Sequence, residues 1–263
     1  MSIPASLVKE LRDQTGAGMM DCKRALEEAQ GEFEAARLLL REKGIALAGK
    51  RAGREIKEGK VGYRIREGVG TLVAVGCETE PVSENEEFLA FAERVLDAVE
   101  REGPGAAATL EQERIELVAK LGENISVVGE TRMTAAEGEE LAAYAHPPAN
   151  RIGVLLRGTG SAEAARRLAM HISFAAPRYT TREGVPAEDV AAERAILERL
   201  DEVESKPEAV RPRIVEGMLA KRFFAESVLT DQMWIHDTGK TVEQALREEG
   251  FEVREFARYS VAG

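Results

Sequence analysis

Residues 69–77, VGTLVAVGC, constrain the chain most. Val69, Leu72, Val73, Ala74 and Val75 put apolar side chains on both faces of a segment too short for a comfortable globular helix. A strand of that pattern needs cover on each side, so the run is expected at the centre of a sheet. It stops at a polar corner, Thr79, Glu80 and Pro81. Ser83 and Glu86 then stand in the S-x-x-E relation of a capping box. Phe88, Leu89, Phe91, Ala92, Val95, Leu96 and Val99 follow at helical spacing, which predicts a helix over 84–99 with a wide apolar stripe. Pro81 fixes its own φ and biases Glu80 toward extended backbone, so the corner is expected to be stiff as well as polar. Such a corner is either a plain connecting turn or a rigidly presented contact.

The totals exclude several function classes. With 36 Lys plus Arg against 47 Asp plus Glu, the net charge is -11, the wrong sign for a nonspecific nucleic-acid binder that works by releasing phosphate counterions. One local exception runs from Lys50 through Arg51, Arg54, Lys57, Lys60 and Arg64 to Arg66, against only Glu55 and Glu58; it reads as a solvated linker or as a patch that steers an acidic partner. Cys22 and Cys77 have no CxxC spacing and the three histidines are scattered, so neither a disulfide framework nor a metal site is expected. No segment reaches 18 uninterrupted apolar residues, and Lys9, Glu10, Arg12 and Asp13 interrupt any secretory core near the start. A soluble protein of a reducing compartment, the cytoplasm, is the expectation.

Taken in order, the chain divides into an α+β arrangement. Residues 1–50 read as three short helices: Leu7, Val8 and Leu11 on the first; Met19 and Met20 leading into Cys22, Ala25 and Leu26 on the second; Phe33, Ala36, Leu39 and Leu40 on a third that is expected to stop near Gly44. Met19 and Met20 either fill this thin core or, if exposed, form a docking corner. Residues 51–60 read as a basic connector. Residues 61–139 form a first core subdomain, with a hairpin over 61–77, the corner and its helix, a short helix around Ile115–Leu121 and a strand from Ile125 toward Met133. Residues 140–263 repeat the order hairpin, polar corner, helix, which suggests a second, related subdomain. It is interrupted over about 187–225 by two antiparallel helices, with Ile196, Leu200 and Val203 as the apolar seam and Ser205 to Glu208 as a second capping box. The first of the two carries few apolar anchors, so the hairpin is expected to project. Thr241 with Gln244 supplies a third box, and Phe251–Val261 a final strand.

Catalytic constellations are weak. Gly158-Thr159-Gly160-Ser161 after a strand has the look of a phosphate turn but lacks any Walker or dinucleotide pattern. His171, beside the apolar stripe of its helix, reads as a packing or contact residue. His236 next to Asp237, and Glu80, lack a converging second group. No covalent chemistry and no cofactor are expected.

Several stretches resemble the translation elongation factor Ts family, in family order and over nearly the whole chain: TGAGMMDCKRALEEA at 15–29 with Gly31, CETEPVSENEEF at 77–88, MHI at 170–172, TREGVP at 181–186, KPE at 206–208 with IVEG at 214–217, and KTV at 240–242. The first is the most specific. The resemblance implies a ubiquitin-associated-like N-terminal domain, two related core subdomains and a projecting helical hairpin. It also implies guanine-nucleotide exchange on elongation factor Tu, bound in its GDP-bound and nucleotide-free forms, with no membrane or direct nucleic-acid partner. Carried over by motif, Met19 and Met20, Thr79, Glu80 and Pro81, Asn85, and Met170 with His171 are the partner-binding or exchange residues. The family's corner is Thr-Asp-Phe, with the phenylalanine wedged beside the GTPase magnesium site. Here Glu80 keeps the acid and Pro81 removes the wedge, which leaves open a degenerate module that binds elongation factor Tu with weak exchange.

Overall fold

A computed structural model describes residues 3–261; residues 1–2 and 262–263, at the outer edges of the expected first and last units, lie outside the described part. The first three helices are α1 (Ala5–Thr15), α2 (Met19–Glu28) and α3 (Phe33–Arg51). Val8, Leu11, Cys22, Ala25, Leu26 and Ala36 bury one another between them. α3 does not stop near Gly44. That glycine is buried inside the helix, where a Cβ would lie 3.5 Å from the Ala119 methyl, and Ala48 one turn later joins the next core. Burial of the far half of α3 outweighs the modest cost of an internal glycine.

Two sheets carry the rest. β1 (Glu58–Arg66) and β2 (Val69–Cys77) form an antiparallel hairpin in which Arg66 faces Val69. Its two-residue turn uses Glu67 and Gly68, both at positive φ, the conformation that lets a tight turn follow the twist of its strands. Because β1 begins at Glu58, the connector is shorter than the basic run, and that run is largely neutralised: Arg54 pairs with Glu78, Lys57 with Glu55, Lys60 with Glu84, and Arg64 with Glu93, Asp97 and Glu100. After one helical turn, α4 (Glu80–Ser83), come α5 (Glu86–Glu102), α6 (Glu111–Leu121) and β3 (Ser126–Thr134), which returns beside β2 to give the order β1-β2-β3. β2 is therefore central, as its apolar pattern requires. Val73, Val75 and Cys77 pack under Phe88, Phe91, Val95 and Val99 of α5, while Leu72 and Ala74 face the other way.

β4 (Glu139–Ala145) and β5 (Ile152–Thr159) form the second hairpin, followed by α7 (Ala162–Ala175). The chain then runs through α8 (Ala187–Glu198), α9 (Asp201–Glu204), α10 (Arg211–Met218), a π-helical stretch Leu219–Phe224, α11 (Ala225–Ser227) and α12 (Val242–Glu249) to β6 (Glu252–Ser260), which pairs with β5. The order β4-β5-β6 repeats the connectivity of the first sheet.

The helical excursion from α8 to α11 is held by Leu197, Val203, Val215, Met218 and Leu219. Two sequence expectations fail there. Ile196 is exposed, and Leu197 is the side chain of α8 that meets Val203, Val215 and Leu219, while Leu200 and Val203 keep their expected places in the seam. Ser205 does not cap with Glu208; it closes α9, and the Arg211 guanidinium instead donates to the carbonyls of Glu204 at 2.7 Å and Lys206 at 2.9 Å. The third box is present: Thr241 Oγ1 accepts from the Gln244 amide at 3.3 Å and Gln244 Oε1 from the Thr241 amide at 3.0 Å.

The remaining face of each sheet is spent on the other sheet. Val61, Leu72, Ala74 and Met133 from the first meet Leu155 and Val261 from the second. Contact is close because glycines sit at the crossings: a Cβ on Gly153 would overlap Val61, and one on Gly129 would lie 2.5 Å from the Tyr259 ring, whose hydroxyl donates to the Glu130 carbonyl at 3.0 Å. Gly153→Val is expected to cost about 1–3 kcal/mol of stability by overpacking. Urea unfolding checks this against Gly184→Ala, a position with nothing within 4 Å. An unchanged midpoint for the Gly153 variant contradicts the close sheet contact.

Candidate functional site

Thr79, Glu80 and Pro81 are all exposed at the end of the buried strand β2. Thr79 is extended, at φ -131° and ψ 154°, and Glu80 already opens the turn α4 with Pro81 in its first positions. The bias of a residue preceding proline toward extended backbone is thus overridden. Proline's missing N–H costs nothing in a first turn, where that donor has no helical partner anyway. Ser83 is not the cap of α5. Its hydroxyl donates back to the Glu80 carbonyl at 2.8 Å, and Asn85 caps instead, its Oδ1 accepting from the amides of Glu87 at 2.9 Å and Phe88 at 3.4 Å. Asn85 therefore has a structural duty at the exit of the corner.

Beneath the corner, Cys77 donates its thiol to the Thr79 carbonyl at 3.3 Å. Burial, with the Glu123 charge added to it, pushes that thiol up to about 12, so it stays protonated and inert. Glu123 itself accepts from the amides of Glu78 and Thr79, both at 3.0 Å, and from the Thr79 hydroxyl at 2.5 Å. The Glu78 carboxylate in turn accepts from the Asn124 amide at 2.6 Å. No local pattern announces Glu123, which lies 44 residues from the threonine it holds.

Met170 and His171 lie on α7 but in different surroundings. The His171 ring is fully buried, stacked on Trp234 with centroids 5.1 Å apart. Its Nδ1 accepts from the Ile235 amide at 3.4 Å, which leaves Nε2 to donate to Gln232 Oε1 at 3.0 Å. Gln232 is oriented for this by donating its own Nε2 to the Ala175 and Glu226 carbonyls. Burial holds the imidazole below its ordinary 6.5. Of the two readings open for His171, packing is the one the ring fulfils. Met170 is half-buried, and one turn on, Phe174 is 80% exposed. Both line a groove with His146, Met233, Ile235 and Arg258.

The corner and the groove are joined. Lys60 pairs with Glu84, just past the corner, and donates to the Ala149 carbonyl at 3.1 Å in the β4–β5 turn, whose first residue is His146. Asn150 accepts from the Val61 amide at 2.7 Å, and Arg151 pairs with Glu58 at 2.6 Å. Met19 and Met20, at the start of α2, are 44% and 61% exposed and do not fill the helical core. The Gly158–Gly160 turn is structural. A Cβ at Gly160 would lie 2.9 Å from Phe251 Cα, and Ser161 caps α7 through the Ala164 amide at 3.2 Å. His236 contacts the Arg167 carbonyl at 3.1 Å while Asp237 pairs with Lys240, so these neighbours form no acid–base couple. Among the described residues no cluster of three or more His, Cys, Asp or Glu could hold a metal ion, and no helix is long and apolar enough to cross a membrane.

The sequence profile of the family described as Elongation factor TS matches residues 78–263. Elongation factor Ts of Shewanella amazonensis is 42% identical over 264 residues, covering 99% of this chain and 91% of the relative. Those of Vibrio cholerae and Colwellia psychrerythraea are each 40% identical, covering 99% of this chain and 92% of the relative. The chain belongs to the elongation factor Ts family. The part matched by the elongation factor Ts profile runs from the residue before the corner, through the groove, to the end of the chain, and the full-length elongation factor Ts relatives extend the likeness over the N-terminal helices.

The buried imidazole makes stability depend on pH in a defined direction. Its pKa is lowered on folding, so the unfolded chain binds the extra proton first, and the stabilising contribution present above 6.5 is lost as pH falls below that value. The unfolding midpoint of the protein is expected to fall between pH 7.5 and 5.5, and His171→Asn to flatten that dependence, as thermal melts across the range would show. Equal slopes for both proteins would place the ring in solvent.

Proposed function

We propose that the protein is a guanine-nucleotide exchange factor that binds elongation factor Tu and promotes GDP release during translation elongation in the cytoplasm. The observation that carries the reading is the exposed Thr79-Glu80-Pro81 corner, fixed to a buried central strand in a chain of the elongation factor Ts family. By the family resemblance, this corner faces the magnesium side of the GTPase nucleotide site, and Asn85 holds the helix behind it. Met170 meets the region of the phosphate loop, and buried His171 acts by fixing α7 against the backbone at Ile235. Met19 and Met20 supply an apolar contact from the helical unit over 1–50. In the same reading that unit and the first core subdomain, 61–139, engage the nucleotide-binding domain, and the second subdomain, 140–263, reaches the GTPase's third domain. Net charge and the paired basic run both fit a protein partner rather than nucleic acid.

No bond is made or broken. The factor binds nucleotide-free elongation factor Tu more tightly than the GDP-bound form, and by linkage the GDP affinity falls by the same factor. A thousandfold weakening corresponds to about 4 kcal/mol of coupling. Glu80 brings a negative charge toward a site that must release magnesium and a diphosphate. Pro81 brings rigidity but little area, so a buried aromatic at this place would add about 1–3 kcal/mol to the coupling.

Release of a fluorescent GDP from purified elongation factor Tu, followed after mixing with the full chain, tests the reading. Acceleration is expected, and Pro81→Phe is expected to increase it further. Binding without acceleration would reduce the protein to a holding module, and an unchanged or slower rate for Pro81→Phe would remove the wedge from the explanation.

A further inference from the structure

An N-cap threonine ordinarily turns its hydroxyl onto an amide of the helix it opens. Thr79 stands at that position before α4 and makes no such bond. Its hydroxyl goes instead to Glu123, which also takes the two consecutive amides of Glu78 and Thr79. Gly122, at a φ of 81°, ends α6 and turns the chain so that the half-buried Glu123 lies behind the corner. The next residue secures the arrangement: Asn124, 4% exposed, donates its side-chain amide to the Arg54 carbonyl at 2.9 Å and its backbone amide to Glu78.

Three charge-assisted bonds to one carboxylate, from the amides of two consecutive peptides and from the Thr79 hydroxyl, allow the backbone at Glu78 and Thr79 few orientations, because turning either peptide breaks its bond to the shared acceptor. The hydrophobic core does not need this. Cys77 and Phe88 anchor the strand and the helix on either side without help from Glu123. What the carboxylate adds is a fixed direction for the exposed residues immediately after it.

We infer that Glu123 is the positioning residue of the exchange corner: it sets the direction in which Glu80 and Pro81 are presented to the GTPase, without itself being presented. The inference rests on the exchange reading above. A positioning residue acts on the rate within the bound complex, whereas a residue that only stabilises the fold acts on the amount of folded factor. A residue that only contacts the partner acts on affinity.

The test is a titration of elongation factor Tu carrying fluorescent GDP with the full-length protein, Glu123→Ala and Glu123→Gln, reading the maximal release rate and the half-saturating concentration separately. Thermal melts show how much of each variant is folded. Loss of the charged acceptor is expected to lower the maximal rate about tenfold in Glu123→Ala, with the half-saturating concentration changed less than about twofold. Glu123→Gln, which keeps one carbonyl acceptor, is expected to fall between, and it decides the matter if the alanine variant does not fold. A wild-type maximal rate in a folded variant overturns the assignment, as does a loss confined to the half-saturating concentration. If the unsubstituted protein itself fails to accelerate release, the exchange reading and the assignment fall together. Acceleration by the unsubstituted protein with no effect of either substitution removes the assignment alone.

Discussion

The placing of the corner relative to the groove depends on how two small sheets are pressed together. Each sheet has helices on one face, and each spends its other face on its neighbour. Leu72 and Ala74 reach Leu155, and Gly129 and Gly153 leave out the Cβ atoms that would hold the layers apart. Interiors at that density respond to strain as packed bodies rather than by continuous yielding. Lys60, Arg151 and the Val61 amide extend the contact along its polar edge to the β4–β5 turn. The corner on one sheet and the groove beside α7 on the other are thereby carried on one frame.

The strand at the centre of that frame could be read directly. Apolar residues on both faces of 69–77 have one economical explanation, and β2 is covered by α5 on one side and by the second sheet on the other. The same holds for the Thr241 box, where motif and helix start coincide. Ser83 and Ser205 show where a motif stops being informative. Both have an acid three residues on, yet neither opens a helix: in the first case Asn85 takes the helix start, and in the second Ser205 closes α9, with Arg211 donating across the turn to the carbonyls of Glu204 and Lys206. A capping motif specifies a local possibility, and neighbouring donors and acceptors decide whether it is used. Gly44 is a further instance, since a helix that reads as ending there continues because α6 lies against it.

The site was legible in a different measure. The corner was visible as three polar residues between two anchored elements, and Met19 and Met20 as apolar residues on a thin domain. What sequence could not show was which side of the helix His171 faces in three dimensions. Gln232, Trp234 and Ile235 surround it from a segment about sixty residues away, and the exposure falls to Met170 and Phe174 instead. Glu123 was invisible for the same reason. Its partners are distant in sequence and the bonds are mostly to backbone, which has no identity to read. Long-range support of a short exposed motif is the general pattern here, and local spacing carries no signal of it.

The central claim is that the corner and the α7 groove meet one partner together because the paired sheets hold them together. Hydrogen–deuterium exchange of the full chain, alone and with nucleotide-free elongation factor Tu, tests it most directly. The account predicts that binding slows exchange in 79–85 and in both 170–176 and 233–236, at the same concentration of partner. Protection of one region at concentrations that leave the other unchanged, or of neither, would contradict it.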